Sequence, residues 1–321
     1  MKIAVIDDYQ DAFRKAKAFP KLEGHDVQVF TDTEKDPRKL AARLKDAEAV
    51  VLTQQRSPFP RAVIERLPKL KLISQTGRNA YHIDLEACAE KGITVSAGGG
   101  GSPNATAELT WALILAHLRH IPQEVQRMKE GKWQATVGIG LKDKTLGVYA
   151  YGKIGSLVAN VGRAFGMNVV ALGREASTAK AREAGFDATT DRVSFFENAD
   201  IVAIHLPLNK DTRGIVTAQD LARMKPSALF VNTSRAPIVE DGALFAALKK
   251  GRPGSAAVDV YEEEPVLDRT HPLIEMDNVT CTPHLGYVEE RGYEAIYGTA
   301  IDQIVAFVDG KPINVATAQK N

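Results

Sequence analysis

Apolar positions along this chain fall in short β-branched runs, separated by longer stretches in which they recur every three or four residues. That is the pattern of parallel strands covered by helices, and it predicts an α/β fold. In the first third the runs are IAVID at 3–7, DVQVF at 26–30, AVVLT at 49–53, LKLIS at 70–74 and ITVSA at 93–97, which predicts a five-stranded doubly wound unit. The stretch GGGGSPNATAEL at 98–109 then interrupts the pattern and reads as a domain crossing, with a helix starting near Ser102 or Pro103. Over 107–120 that helix carries Trp111, Leu113, Ile114, Leu115 and Leu118 around most of its circumference, so it should be buried on more than one side. A subunit interface or a deep inter-domain position would satisfy that expectation.

A second series of runs follows: LGVYA at 146–150, NVVAL at 168–172, IVAIHL at 201–206, ALFVNT at 228–233, AAVDV at 256–260 and VTCT at 279–282. Six strands is the count of a complete dinucleotide-binding sheet. Ile296, Ala300, Ile301, Ile304, Val305 and Val308 mark one last amphipathic helix, closed by Gly310 and Pro312. With the second sheet already complete, this helix is expected to pack back on the first domain.

A length of 321 residues suits two domains. The 41 basic and 40 acidic residues nearly cancel and form no block of one sign, which speaks against a nucleic-acid or membrane surface and for a small-molecule partner. The longest apolar run, near 109–118, is too short to span a bilayer, and MKIAVIDD enters directly as a strand without a signal-peptide layout, so a cytoplasmic protein is expected. Cys88 and Cys281 lie far apart without metal-ligand spacing, which fits a reducing compartment and predicts no metal site.

The stretch TLGVYAYGKIG at 145–155 resembles a GxGxxG phosphate turn with alanine at the first glycine. Glycines between a strand and a helix are weak evidence alone. Here a strand precedes, a helix follows with Leu157, Val158, Val161, Ala164 and Phe165 at helical spacing, and the next strand begins where a βαβ unit requires it. Gly152 stands where backbone approaches a pyrophosphate, and Gly155 where helix and strand pack closely. The helix N-terminus offers free N–H groups to phosphate. Ala150 is admissible in the tight turn provided its φ is negative. At the end of the second strand of this unit, an NAD site usually carries an acid for the ribose hydroxyls, but the chain has Gly173 and Arg174. A guanidinium without a carboxylate suits a 2′-phosphate, so NADP(H) is favoured over NAD(H), unless Arg174 is simply a surface residue.

Doubly wound sheets bind ligands beyond the carboxyl ends of their strands. Arg235 follows LFVNTS, Glu264 closes VDVYEEEP and His284 ends VTCTPH, three such positions in succession. Reduction of a 2-oxo acid needs a cation for the carboxylate, a proton donor for the carbonyl oxygen and a hydride. Arg235 has the forked geometry for the first task, and His284 brings an imidazole, the side-chain type that exchanges protons near neutrality, for the second. Glu264, on the other ring nitrogen, would orient the imidazole. Each residue taken alone could be structural; their joint placement argues otherwise.

With these segments in hand, the chain resembles the D-isomer-specific 2-hydroxyacid dehydrogenases, the family of D-3-phosphoglycerate dehydrogenase and glyoxylate/hydroxypyruvate reductase. The resemblance runs from Met1 to about Asn314 and is carried by TLGVYAYGKIGSLVANVGRAFGMNV, ADIVAIHLPLNKDTRGIV, MKPSALFVNTSRAPIVEDGALFAAL, AAVDVYEEEP and NVTCTPHLG. It implies that Arg235, Glu264 and His284 are the catalytic residues. It further implies that Asp259, Thr233 and Ser234 lie by the nicotinamide, Lys153 and Ile154 by the pyrophosphate, and Pro207 and Thr212 on the adenosine and phosphate side. It also implies a flavodoxin-like substrate domain of 1–101 plus 291–321, a Rossmann coenzyme domain of 102–290, and a homodimer joined largely through the coenzyme domain.

The substrate loop departs from the family. TGRNAYHID at 76–84 resembles TGxGxDNID, with Asn79 at the second glycine, where a positive φ is expected, and Tyr81 and His82 for the usual Asp-Asn. Arg78 adds a cation that either favours a substrate with a second anionic group or faces solvent; Arg78 and Asn79 join Arg235 as expected substrate contacts. Formate dehydrogenase shares the architecture with Gln as partner of the histidine, and Glu264 speaks against it. A cofactor-sensing scaffold of the corepressor type remains an alternative that the triad alone does not exclude.

Overall fold

The structure is a computed structural model and describes residues 1–317. The chain forms two compact units, one of Met1–Ser102 together with the chain from Val288 onward, the other of Pro103–Tyr287.

The first unit contains β1 (Lys2–Ile6), β2 (Asp26–Val29), α1 (Pro37–Leu44), β3 (Ala49–Leu52), α2 (Arg61–Ile64), β4 (Leu72–Gln75), α3 (Leu85–Glu90) and β5 (Thr94–Ala97). Its strands are all parallel, in the order β2-β1-β3-β4-β5. That is the flavodoxin-like order, with a switch point between β1 and β3. Every residue of β3 and β4 is buried, which is why these strands read as unbroken runs rather than alternations. Helices begin where acids can cap them: Asp36 accepts from the amides of Arg38 and Lys39, and Asp84 from that of Ala87.

The second unit opens with α4 (Pro103–Leu118) and α5 (Ile121–Lys129). Its sheet unit comprises β6 (Thr145–Tyr149), α6 (Lys153–Ala164), β7 (Asn168–Leu172), α7 (Glu175–Glu183), β8 (Asp187–Thr189), α8 (Arg192–Asn198) and β9 (Ile201–Ile204). It continues through α9 (Ala218–Arg223), β10 (Leu229–Asn232), α10 (Ala243–Lys249), β11 (Ser255–Val258) and β12 (Val279–Cys281). The order is β12-β11-β10-β9-β6-β7-β8, all parallel. The sheet therefore has seven strands, not the six expected. The addition is β8, an edge strand of sequence DAT that pairs only with β7 and contains no apolar run to announce it.

Burial of α4 is supplied largely by its own unit. It packs on α6 and on β10, β11 and β12; the Trp111 indole donates to the Val158 carbonyl at 3.2 Å and stands 5.1 Å from the Phe165 ring. The helix also ends at Leu118, two residues before the expected limit, and His120 turns into α5 with φ +53. The last helix, α11 (Glu290–Val308), packs on β4, with Ile296, Ala300, Ile301 and Ile304 buried and Val308 exposed, and Gly310 follows at φ +71. Among the described residues no helix is long and apolar enough to cross a membrane, and no group of three or more His, Cys, Asp or Glu is placed to hold a metal ion.

Candidate active site

The turn from β6 into α6 is built for close backbone approach. A Cβ on Gly155 would lie 2.2 Å from the Ala150 carbonyl oxygen, so only glycine lets helix and strand pack this tightly. Gly152 has open space around its Cα, nothing within 4 Å, and caps α6 without any side-chain hydrogen bond. The first N–H groups of the helix are thus left for a ligand, and an anion is what they attract. Lys153 is exposed beside them and Ile154 half-buried. Ala150 corrects one expectation: its φ is +78, in the left-handed region, not negative. A non-glycine residue bears about 1–2 kcal/mol there, and its amide is held by the Leu172 carbonyl at 2.8 Å.

At the end of β7, a Cβ on Gly173 would meet the Ser177 hydroxyl at 2.8 Å, and that hydroxyl accepts from the Tyr151 amide of the phosphate turn at 2.9 Å. Arg174 is the N-cap residue of α7 and pairs with Asp211 at 3.1 Å, both side chains mostly in solvent, an arrangement worth little to stability. Past β9, the buried Thr212 hydroxyl donates to the Pro207 carbonyl at 2.6 Å and accepts the Asn209 amide at 2.8 Å, so it shapes this loop from within. These features fit a dinucleotide: an uncapped helix N-terminus, an open glycine and a turn in which added methyl groups clash.

Three adjacent strands carry the expected reactive residues at their carboxyl ends. Arg235 lies three residues past β10, Glu264 six past β11 and His284 three past β12. Asn232 ties the first of these exits, accepting from the Ser234 amide and donating to the Arg235 carbonyl, both at 3.0 Å. The Thr233 hydroxyl pairs with that of Thr110 on α4 at 2.8 Å, and the Ser234 hydroxyl donates to the Leu206 carbonyl. Arg235 directs one Nη1 hydrogen at the Ser234 carbonyl, 2.7 Å away.

Glu264 and His284 meet directly. His284 Nδ1 stands 2.6 Å from Glu264 Oε2, while Glu264 Oε1 accepts the Tyr261 amide at 3.0 Å, and both side chains are about 15% exposed. A carboxylate on Nδ1 keeps the proton there and leaves Nε2 as the nitrogen that can exchange a proton with a ligand. Asp259 is fully buried, and burial raises its carboxyl pKa against the pull of its hydrogen bonds.

In the first unit, Arg78 and Asn79 are both exposed just beyond β4. Asn79 is not among the positive-φ residues, which corrects the second expectation; the left-handed position in this region is Gln54, at φ +56. His82 is enclosed with neither ring nitrogen partnered, and burial pushes its pKa down to about 4. Sequence reasoning missed a buried polar group at the β1/β3 switch point: Asp7, with φ +61 and its carboxyl pushed up by burial, accepts the Thr33 hydroxyl at 2.6 Å, with Arg56 and Ser57 alongside. The signal available was an acid closing a strand in VIDD and a basic-polar exit in TQQRS.

Fold and turn together define a doubly wound dinucleotide-binding protein. Residues 111–286 match the model of the D-isomer specific 2-hydroxyacid dehydrogenase NAD binding domain. The chain is 33% identical over 299 residues to glyoxylate reductase of Aeropyrum pernix, covering 89% of this chain and 88% of that one. It is 36% identical over 314 residues to D-3-phosphoglycerate dehydrogenase of Methanocaldococcus jannaschii, where it covers 97% of itself but spans only 58% of that relative's length. A solved structure from Ralstonia solanacearum, described as a candidate D-3-phosphoglycerate dehydrogenase oxidoreductase, superposes with TM-score 0.93 at 50% identity, covering 98% of this chain and 96% of the other. The chain belongs to the D-isomer-specific 2-hydroxyacid dehydrogenase family.

Proposed function

We propose that this protein is a nicotinamide-dependent dehydrogenase that interconverts 2-oxo acids, of the glyoxylate or hydroxypyruvate type, and D-2-hydroxy acids. The observation that carries the reading is the His284–Glu264 pair at the carboxyl edge of a coenzyme-type sheet. The α6 N-terminus with Gly152, Lys153, Ile154 and Gly155 would hold the pyrophosphate, Pro207 and Thr212 would line the adenosine side, and Thr233, Ser234 and Asp259 would lie by the nicotinamide. When bound, the reduced nicotinamide supplies the hydride. Arg235 binds the substrate carboxylate with two donors of its fork. His284 Nε2 gives its proton to the carbonyl oxygen in reduction and takes it back in oxidation, while Glu264 on Nδ1 fixes the orientation of the ring. Arg78 and Asn79 serve the substrate, with Arg78 favouring a second anionic group.

The coenzyme we favour is NADP(H), because the end of β7 offers Arg174 and no acid at Gly173. The protein works in the cytoplasm as a homodimer. The strongly exposed Met128, Trp133 and Val137, on and after α5 of the second unit, supply apolar surface that association would cover; sedimentation reporting a monomer at micromolar concentration would remove the dimer.

The test is a spectrophotometric screen of mono- and dianionic 2-oxo acids with NADPH and NADH in parallel. Turnover with a higher kcat/KM for NADPH is expected. Inactivity across the panel, in protein that binds coenzyme, would favour the cofactor-sensing scaffold instead.

A further inference from the structure

Gly173 follows β7 directly, at the position where an acid would take the ribose hydroxyls of NAD. Its φ lies outside the positive range, so the backbone there admits a side chain and conformation gives no reason for glycine. The obstacle comes from α7. A Cβ at this position would stand 2.8 Å from the Ser177 hydroxyl and 2.9 Å from the Ser177 Cβ. Rotating the Ser177 side chain would move its hydroxyl but not its Cβ, which shifts only with the backbone of the helix.

Both hydroxyl and helix are held in place. The hydroxyl accepts the Tyr151 amide at 2.9 Å, and the preceding amide, that of Ala150, donates to the Leu172 carbonyl at 2.8 Å. Two successive amides of the phosphate turn are thus tied to the end of β7 and the start of α7. The Tyr151 ring is buried, 5.7 Å from that of Phe186, which fixes the donor side. On the acceptor side, the amides of Ser177 and Thr178 both donate to the Arg174 carbonyl, at 2.8 and 3.1 Å, and the Thr178 side chain is fully buried. The phosphate turn, position 173 and the first turn of α7 therefore form one packed unit, and any side chain entering at 173 pushes on the tether of the turn. The Arg174 side chain lies outside this unit, mostly in solvent.

We propose that Ser177 is a specificity-determining residue for the coenzyme: while it holds the Tyr151 amide it fills the space over Gly173, so that no ribose-binding acid fits at the end of β7 and Arg174 is left as the charged residue there. This rests on reading the turn as a coenzyme site that favours NADP(H). Selectivity then lies in a pair of positions, 173 and 177, and an acid placed at the first alone does not convert the site to NAD(H).

The experiment compares the wild-type full chain with Gly173→Asp, Ser177→Gly and the two combined. It measures Kd for NADPH and for NADH by fluorescence titration, and hydrogen exchange at the Tyr151 amide without ligand. Gly173→Asp alone should weaken both coenzymes and strip the Tyr151 amide of protection. Ser177→Gly alone should also free that amide, with NADPH still the preferred coenzyme. The combined variant should bind NADH roughly tenfold or more tighter than Gly173→Asp does, the return of a hydrogen bond to a charged group, and should prefer NADH to NADPH. NADH bound equally well by Gly173→Asp and the combined variant, with Tyr151 still protected in the first, would overturn the proposal. Gly173→Ala, which adds the Cβ without the charge, keeps the test open if the acid prevents folding: it should weaken both coenzymes alike, and Ser177→Gly should relieve that loss. A wild-type chain that binds NADH as tightly as NADPH would sink the coenzyme preference instead, while the Gly173→Ala comparison would still decide whether Ser177 fills the space.

Discussion

Ala150 occupies the position in the phosphate turn where a glycine would carry φ +78 without strain. Relief of about 1–2 kcal/mol of left-handed strain, set against about 0.5–1 kcal/mol of extra chain entropy for glycine, predicts that Ala150→Gly raises unfolding stability by roughly 0.5–1 kcal/mol in urea titration with NADPH affinity unchanged. A destabilised variant would mean that the methyl group makes packing contacts outweighing the strain. At this scale the sequence offers residue types suited to a chemistry: Gly152 and Gly155 at the turn into α6, and Arg235, Glu264 and His284 beyond three strand ends. Conformation was less readable: the signs of φ at Ala150 and Asn79 follow from the path of the surrounding backbone, and nothing in YAYG or GRNA specifies that path. The accepting role of Asp259 was also hidden, since its three donors arrive from a segment more than twenty residues away.

Elements with strong periodicity were legible and those defined by pairing were not. Strands β3, β4, β9 and β10 are buried at every position and announced themselves as apolar runs, whereas β8 exists because β7 presents it with an unpaired edge. The apolar girdle of α4 was seen, but the sequence left open what would cover it; the structure answers largely with α6 and the sheet. The tightest contact between elements is that of α6 with the exit of β6. A methyl group on Gly155 would meet backbone 2.2 Å away, and backbone cannot rotate aside as a side chain would. Gly155→Ala should therefore cost about 1–3 kcal/mol as overpacking and weaken NADPH binding by retracting the helix N-terminus from the phosphate. Calorimetry and fluorescence titration would check both, and wild-type behaviour in both would contradict the packing account.

For the whole molecule, three enclosed histidines tie stability to pH. Burial lowers His82 in the first unit and His117 and His205 in the second to about 4, with His120 adding repulsion at His117. Each stays neutral in the folded chain where the unfolded chain would protonate near 6.5. Their contribution is complete above that value and is lost as pH falls from 6.5 towards 4, by up to about 3 kcal/mol for each group. The urea midpoint should drop steadily through that window, and His82→Gln should flatten the part belonging to the first unit; a midpoint independent of pH between 6.5 and 4.5 would contradict the assignment. The central claim concerns the imidazole at the end of β12. Its most direct test is the kcat of His284→Ala for NADPH-dependent reduction of an accepted 2-oxo acid, alongside NADPH affinity. A loss of about 10² to 10⁴ in kcat with coenzyme binding intact is the predicted result, and a variant that turns over at the wild-type rate would contradict it.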